Sequence, residues 1–474
     1  MRAQASTAAV TRLVVALSFG VIGVTVVQTL MFPLLPVLPA LLKTSASDAS
    51  WAITATLLTA AVAMPVFGRL GDLYGPKLML LVCATLLIVG SVVAALANSL
   101  ILLVLGRGLQ GCSVAILPLG ISVIRAAVPP RSVGLAIGVF SASVGIGGAL
   151  NLPLSAVIVD NLDWHALFWF SGALGVVALL GFALFVPRVP ASAHNKFDPL
   201  GAVLLSAGLV ALLLPVSKGA SWGWTSGTAL GSFGASAAIF AVFAWWQLQT
   251  SSPLVDLRMS IRRPVLITNV ATIALGFAIV SMLVTLPQLL ELPRQTGYGL
   301  GQSLLNTALV MAVNGVTIMA ASPMAAVIAA RLSARAALGI GAAIMAVSYL
   351  LAAWLLHTVL QVLLCTAVAG IGVGLSFAAS AMLITAAVPA SETAAANGIN
   401  QLVRMCGQAA GSAVAGAVLA AMTMPFAGAE LPSLAGIRTA MLLAAAGSGL
   451  AAACAMLIPH GRLQSHTATG KIIT

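Results

Sequence analysis

Residues 51–98 read WAITATLLTAAVAMPVFGRLGDLYGPKLMLLVCATLLIVGSVVAALAN. Two apolar runs, 51–71 and 78–98, flank a short break, and Arg69, Asp72 and Lys77 lie in or beside it. Each run is about 20 residues, the length that carries a helix across the roughly 30 Å hydrocarbon core of a bilayer. A charge in that core costs several kcal/mol, so spanning helices exclude charge unless a site requires it. The rest of the chain follows the same pattern. All nine acidic residues (Asp48, Asp72, Asp160, Asp163, Asp198, Asp256, Glu291, Glu392 and Glu430) fall in or beside such breaks, and only two cations, Arg107 and Arg404, fall inside runs.

Fourteen runs are read, at 13–40, 51–71, 78–98, 101–123, 134–159, 165–187, 199–217, 227–249, 265–290, 303–330, 337–356, 359–387, 396–423 and 437–459. With 61% hydrophobic and 6% charged residues, the chain lacks the surface of a soluble domain, where roughly a quarter of residues are charged. Runs of this length exclude a transmembrane barrel, whose strands alternate over about ten residues. Helices are then the spanning element, because each backbone N–H must find its acceptor within its own segment. The expected fold class is all-α, a polytopic membrane protein with fourteen transmembrane helices. The N-terminal apolar stretch continues to about Leu42 without a polar cleavage region. It is far longer than a signal-peptide core and is read as the first span.

The net charge is +12, but the cations are scattered singly and form no basic stripe, which excludes nucleic acid as a partner. Outside the spans, fifteen Lys and Arg residues fall on one side of the alternating topology and four on the other. The positive-inside rule then puts both termini in the cytoplasm, in a multi-pass protein of the cell inner membrane. The side with fifteen cations is termed the basic end below. All five cysteines lie within apolar runs, with neither a disulfide framework nor a metal-ligand spacing, so no metal and no cofactor is expected. No nucleophile–base pair and no G-x-x-x-x-G-K-[ST] loop occurs, which argues against an enzyme or an ATP-driven pump.

The longest breaks at the basic end, near 188–198 and 250–264, flank spans seven and eight. Removing that pair leaves six spans before it and six after. The expected organisation is a six-helix bundle over 1–190, an inserted two-helix hairpin over 191–262, and a second six-helix bundle with a short tail over 263–474.

The break after span two reads Gly68-Arg69-Leu70-Gly71-Asp72-Leu73-Tyr74-Gly75-Pro76-Lys77. Its glycines are read as letting the backbone turn tightly, and Pro76 as starting the next helix. Asp72 can accept N–H bonds at a helix N-terminus or pair with a guanidinium, latching one bundle to the other. In span four, Leu105-Gly106-Arg107-Gly108-Leu109-Gln110-Gly111 sets a cation about 10 Å into the span, with Gln110 one helical turn on. Span five carries Gly134, Gly138, Gly145, Gly147, Gly148 and Pro153, residues that allow close helix approach and bend a helix. Candidate cavity-lining residues are Gln28, Met31, Phe32, Asn269, Asn306, Asn314, Asn400 and Arg404. The amides have a structural alternative, tying helices together, and Arg404 has another, snorkelling to the headgroups.

The pattern G-x-L-x-D-x-x-G-x-K at 68–77 resembles the signature of the major facilitator superfamily. The span-four and span-five stretches, Phe197–Gly201 opening span seven and Ser217–Trp224 closing it resemble that family's fourteen-span drug:proton antiporter branch. The resemblance implies secondary active export of small amphipathic compounds by alternating access, in exchange for protons, by a monomer in the lipid bilayer. It implies a cytoplasmic gate of Gly68, Arg69, Asp72, Gly75 and Lys77. Arg107 and Gln110 would serve proton coupling or site organisation, and Gly145, Gly147, Gly148, Asn151 and Pro153 would form the helix-five motif. The chain departs from the branch twice. Asn151-Leu152-Pro153 replaces the usual Gly-Pro pair, and Val26–Pro33 lacks the acid common in span one. The missing acid argues for neutral, zwitterionic or anionic substrates and keeps a second reading open: a facilitator or uptake symporter of the same fold, without proton antiport.

Overall fold

The computed structural model describes residues 7–29, 38–44, 46–49, 51–189, 196–223, 225–426 and 429–459. Among them, fourteen helices are long and apolar enough to cross a membrane. They are α1 (Thr7–Thr29), α2 (Trp51–Tyr74), α3 (Pro76–Ala95), α4 (Leu100–Cys112 and Ile116–Ala127, joined by a 3-10 turn), α5 (Pro130–Asn161), α6 (Ala166–Phe185) and α7 (Pro199–Trp222). The series continues with α8 (Gly227–Gln249), α9 (Arg263–Glu291), α10 (Leu304–Arg331), α11 (Ala334–Leu355), α12 (Val359–Ala387), α13 (Thr393–Ala421) and α14 (Leu434–Leu457).

Polar residues mark where these helices begin. The side chains of Ser99, Asp198, Ser226, Ser303, Ser333, Thr358 and Ser433 each accept an otherwise orphaned first-turn N–H. Proline occupies the first turn of α3, α5, α7 and α9, where its missing N–H costs nothing. The short breaks at Asn98-Ser99 and His357-Thr358 are thereby built as caps, the second as a full capping box with Gln361. Large apolar side chains such as Leu184, Val203, Leu360 and Met456 stand mostly exposed along the helix exteriors. A surface of that composition suits acyl chains, not water.

Two boundaries depart from the sequence expectation in ways that bear on the site. The first described helix is Thr7–Thr29, which begins six residues before the expected start at 13; the expected span's residues 30–37, with Met31 and Phe32, lie outside the described residues. The break after span two is shorter than expected, because α2 stays helical through Tyr74. Gly68 and Gly71 are therefore helical and do not turn the chain; only Gly75 does, at φ +96°. The all-α expectation also needs one addition, an antiparallel hairpin of β1 (Thr423–Phe426) and β2 (Ala429–Pro432) between α13 and α14, with Thr423 opposite Pro432.

Helices α1 to α6 pack on one another, chiefly α3 on α4 and α6, α2 on α4, and α1 on α5 and α6. Helices α9 to α14 do the same through α10 on α12, α11 on α12 and α14, and α9 on α13 and α14. The pair α7–α8 packs together, and α7 lies against both α2 and α13. Leu205, Leu209 and Leu213 on α7 share a buried cluster with Ala61 of α2 and Leu402 of α13. The inserted pair thus rests on the seam between the two six-helix sets.

Candidate functional site

The seam is formed by α2 against α13 and by α5 against α10. Glycines permit both approaches. A Cβ on Gly68 would stand 2.8 Å from Ala394 O, and one on Gly398 would stand 2.5 Å from Met64 O. On the other pair, a Cβ on Gly145 would meet Gly315 O at 2.5 Å, and one on Gly138 would meet Ser322 O at 3.0 Å. Of the other helix-five residues, Gly147 faces Thr25 of α1, Gly148 faces open space, and Pro153 is half-buried. The side chain of Asn151 lies outside the described residues. These cross-seam contacts run from the basic end to about mid-helix.

At the basic end the seam is also hydrogen-bonded. Asp72, 2% exposed, accepts the backbone N–H groups of Ala394 at 3.2 Å and Ala395 at 2.9 Å. These are first-turn donors of α13 without an intrahelical acceptor, and a carboxylate there also meets the positive end of the helix dipole. The sequence expectation of a helix-capping Asp72 thus acquires its partner. Arg125, at the end of α4, makes the second crossing. It donates to Val388 O (2.9 Å), Pro389 O (3.2 Å) and Thr393 Oγ1 (2.7 Å). Sequence reasoning missed Arg125, which it counted only as one more cation of the basic end.

The remaining motif residues divide. Lys77 does not cross the seam; its Nζ donates to Ala183 O on α6, within the same set of helices. Arg69 is buried, and its Nε has no acceptor among the described residues. It lines a small cavity with Asp256, Asn269, Glu392 and Ile399. The wall formed by Asp256 belongs to the segment that leaves the inserted hairpin, which is held by Asp198. That carboxylate caps α7 at Gly201 N (2.8 Å) and accepts Trp246 Nε1 (3.1 Å) and Gln247 Nε2 (2.8 Å), while Gln247 Oε1 accepts Val255 N (3.1 Å).

Arg107 is fully buried on α4. Gly106 packs on the backbone of Gly90 and Ala94, and Gly111 on Thr56 and Thr59, so α4 lies flush against α3 and α2. The guanidinium Nε donates to Ala52 O (3.2 Å), and Nη1 donates to Val27 O (3.0 Å) and Gln110 Oε1 (2.8 Å). Gln110 Nε2 in turn donates to Ser91 Oγ at 2.8 Å. This node ties α1, α2, α3 and α4 around one cation, and among the described residues no carboxylate is hydrogen-bonded to it. Gln28, next to Val27 in sequence, is half-buried on α1.

In the second set of helices the amides tie helices together. Asn400 Nδ2 donates to Asn269 Oδ1 (2.9 Å) and Thr272 Oγ1 (3.0 Å), joining α13 to α9. Asn314 Nδ2 donates to Thr366 O (2.9 Å), joining α10 to α12. Asn306 is exposed at the start of α10 and bonds Gln302, so it does not join the buried polar residues. Arg404 is 7% exposed, and its guanidinium carbon lies 3.8 Å from the Phe377 ring centroid. The snorkelling alternative is therefore set aside. Phe377, a half-buried aromatic on α12, gave no signal in the sequence beyond its apolarity.

Fourteen apolar helices, twelve of them in two packed sets of six, a seam hydrogen-bonded at one end and two buried arginines define the class: a polytopic membrane transporter. The chain belongs to the Major Facilitator Superfamily, whose model matches residues 17–412 and, in a second match, 265–471. An uncharacterized MFS-type transporter, YvkA of Bacillus subtilis, is 26% identical over 86% of this chain and 90% of its own length. The multidrug resistance protein Stp of Mycobacterium tuberculosis is 28% identical over 78% of this chain and 68% of its own. The proton:xylose symporter XylE shares the fold, with a TM-score of 0.68 over 96% of this chain and 97% of that one, at 14% identity.

Proposed function

We propose that this chain is a secondary active exporter of small amphipathic compounds, working by alternating access in exchange for protons. It sits in the cell inner membrane with its basic end and both termini in the cytoplasm. The observation that carries this reading is the capped seam. Asp72 and Arg125 hold α2 and α4 to the start of α13 by hydrogen bonds to groups that would be released if the two bundles rocked apart at that end. Such bonds are individually worth about 1–3 kcal/mol, enough to bias a two-state equilibrium without locking it. The similarity to a multidrug resistance protein supports the outward direction of transport and a drug-like cargo.

A second reading is favoured by one observation: α1, over Thr7–Thr29, contains no acidic residue. A facilitator or uptake symporter of a neutral or anionic solute would need none. A susceptibility panel in an exporter-deficient host tests the first reading. The intact chain should raise resistance to some amphipathic compounds and Arg107→Ala should not; equal resistance from both, or none from either, would overturn it.

A further inference from the structure

The two buried arginines have different surroundings. Arg107 has no exposed surface and makes three hydrogen bonds to backbone and amide acceptors through its Nε and Nη1, with its buried Nη2 alone lacking an acceptor among the described residues. Arg404 is also buried, but its guanidinium makes no hydrogen bond to any described residue. Its Nε is buried without an acceptor, and no described carboxylate forms an ion pair with it. It sits eleven residues beyond Thr393, about 16 Å along α13 at 1.5 Å per residue. Of the helices that pack on α13, α12 contains no acid, α9 only Glu291 at its far end, α2 only Asp72 at the basic end, and α7 only its cap Asp198, also at the basic end.

An unpaired buried cation is costly, and the attraction of one aromatic ring offsets only part of that cost. The chain nevertheless holds this one in place. Asn400, one turn before it, is fixed by Asn269 and Thr272. A Cβ on Gly276 would stand 2.4 Å from Arg404 O, and one on Gly407 2.1 Å from Ile273 O, so α9 and α13 are in backbone contact at this level. With Phe377 on its face, the guanidinium keeps its edge donors for a planar anion, the geometry that carboxylates match with two parallel bonds.

Resting on the transport reading above, we propose that Arg404, backed by Phe377, receives a carboxylate or similar planar anion. The cargo is then an amphipathic organic anion whose apolar body lies against Phe377. The absence of an acid in the described part of α1 fits this cargo, since a buried carboxylate near the path would repel it.

The test uses the full chain purified in a neutral detergent and a matched pair of probes, 2-naphthoate and the uncharged 2-naphthamide, read by thermal stabilisation. Naphthoate should stabilise the protein and naphthamide should not. Arg404→Gln should weaken naphthoate binding by about tenfold or more, the loss expected for one charge-assisted pair. Arg404→Lys should keep part of the binding, and Phe377→Leu should fall between. Equal stabilisation by both probes, no stabilisation by naphthoate, or unchanged binding in Arg404→Gln would overturn the proposal. If Arg404→Gln does not fold, undiminished binding in both Arg404→Lys and Phe377→Leu does so. Added phosphatidylglycerol should not compete; displacement of naphthoate by it would make the site one for lipid. In cells, export of neutral or cationic compounds by Arg404→Gln at the intact level would sink the anion assignment and leave the transport reading standing. No export of any compound would sink the transport reading itself.

Discussion

Asp72 Oδ2 lies 2.9 Å from the backbone nitrogen of Ala395, a hydrogen bond between residues 323 positions apart that joins the first bundle to the second. The acceptor is the only anion among ten residues otherwise made of glycines, apolar groups and two cations, together with Tyr74 and Pro76. Its place at a helix N-terminus gives a physical reason for an acid at the basic end.

Asp72→Asn keeps an acceptor oxygen but loses the charge that meets the helix dipole. A cap of this kind is worth about 1 kcal/mol, so the basic end should open about fivefold more often. Alkylation of a cysteine introduced at Thr393 in a background lacking the native cysteines would read this. Faster labelling in Asp72→Asn than in its parent is expected, together with impaired transport at normal expression.

The glycine contacts make a paired prediction. Gly145→Ala sets a methyl group 2.5 Å from Gly315 O and should cost about 1–3 kcal/mol as overpacking at the seam. Gly148→Ala meets nothing within 4 Å and should be silent. Thermal unfolding in detergent would separate them, the first falling by several degrees and the second unchanged.

Removing Arg107 takes a donor from Ala52 O, Val27 O and Gln110 Oε1, of which Ala52 O keeps Thr56 Oγ1. Arg107→Ala should abolish export and lower stability by about 3 kcal/mol or more, since buried polar groups lose their partner. Arg107→Lys cannot reach all three and should retain a minor fraction of transport. Normal export by both variants would mean that the cation is dispensable.

The inserted hairpin has its own anchor. Asp198→Ala removes the α7 cap and the acceptor shared by Trp246 and Gln247. A loss of about 2 kcal/mol is expected from cap and buried hydrogen bonds together. Asp198→Asn should lose less, as judged by thermal unfolding.

The spans were legible because charge exclusion is a local property of the chain, and so was the Arg107–Gln110 pair, three residues apart on one helix. What sequence could not supply were contacts between distant segments. Nothing local distinguishes Arg125 from other cations of the basic end, or Phe377 from other apolar residues. Gly68 and Gly71 read as turn residues because their need is steric, imposed by Ala394 and by Leu119. The strands at 423–426 and 429–432 escaped notice because each contains a proline and only four residues.

The central claim is that a proton gradient drives a compound outward through this chain. Inside-out vesicles with an imposed pH gradient, acid inside, would test it with a compound chosen from the susceptibility panel. Accumulation that requires the gradient, is accompanied by proton efflux and disappears in Arg107→Ala is expected. Equal flux with and without the gradient would contradict the account.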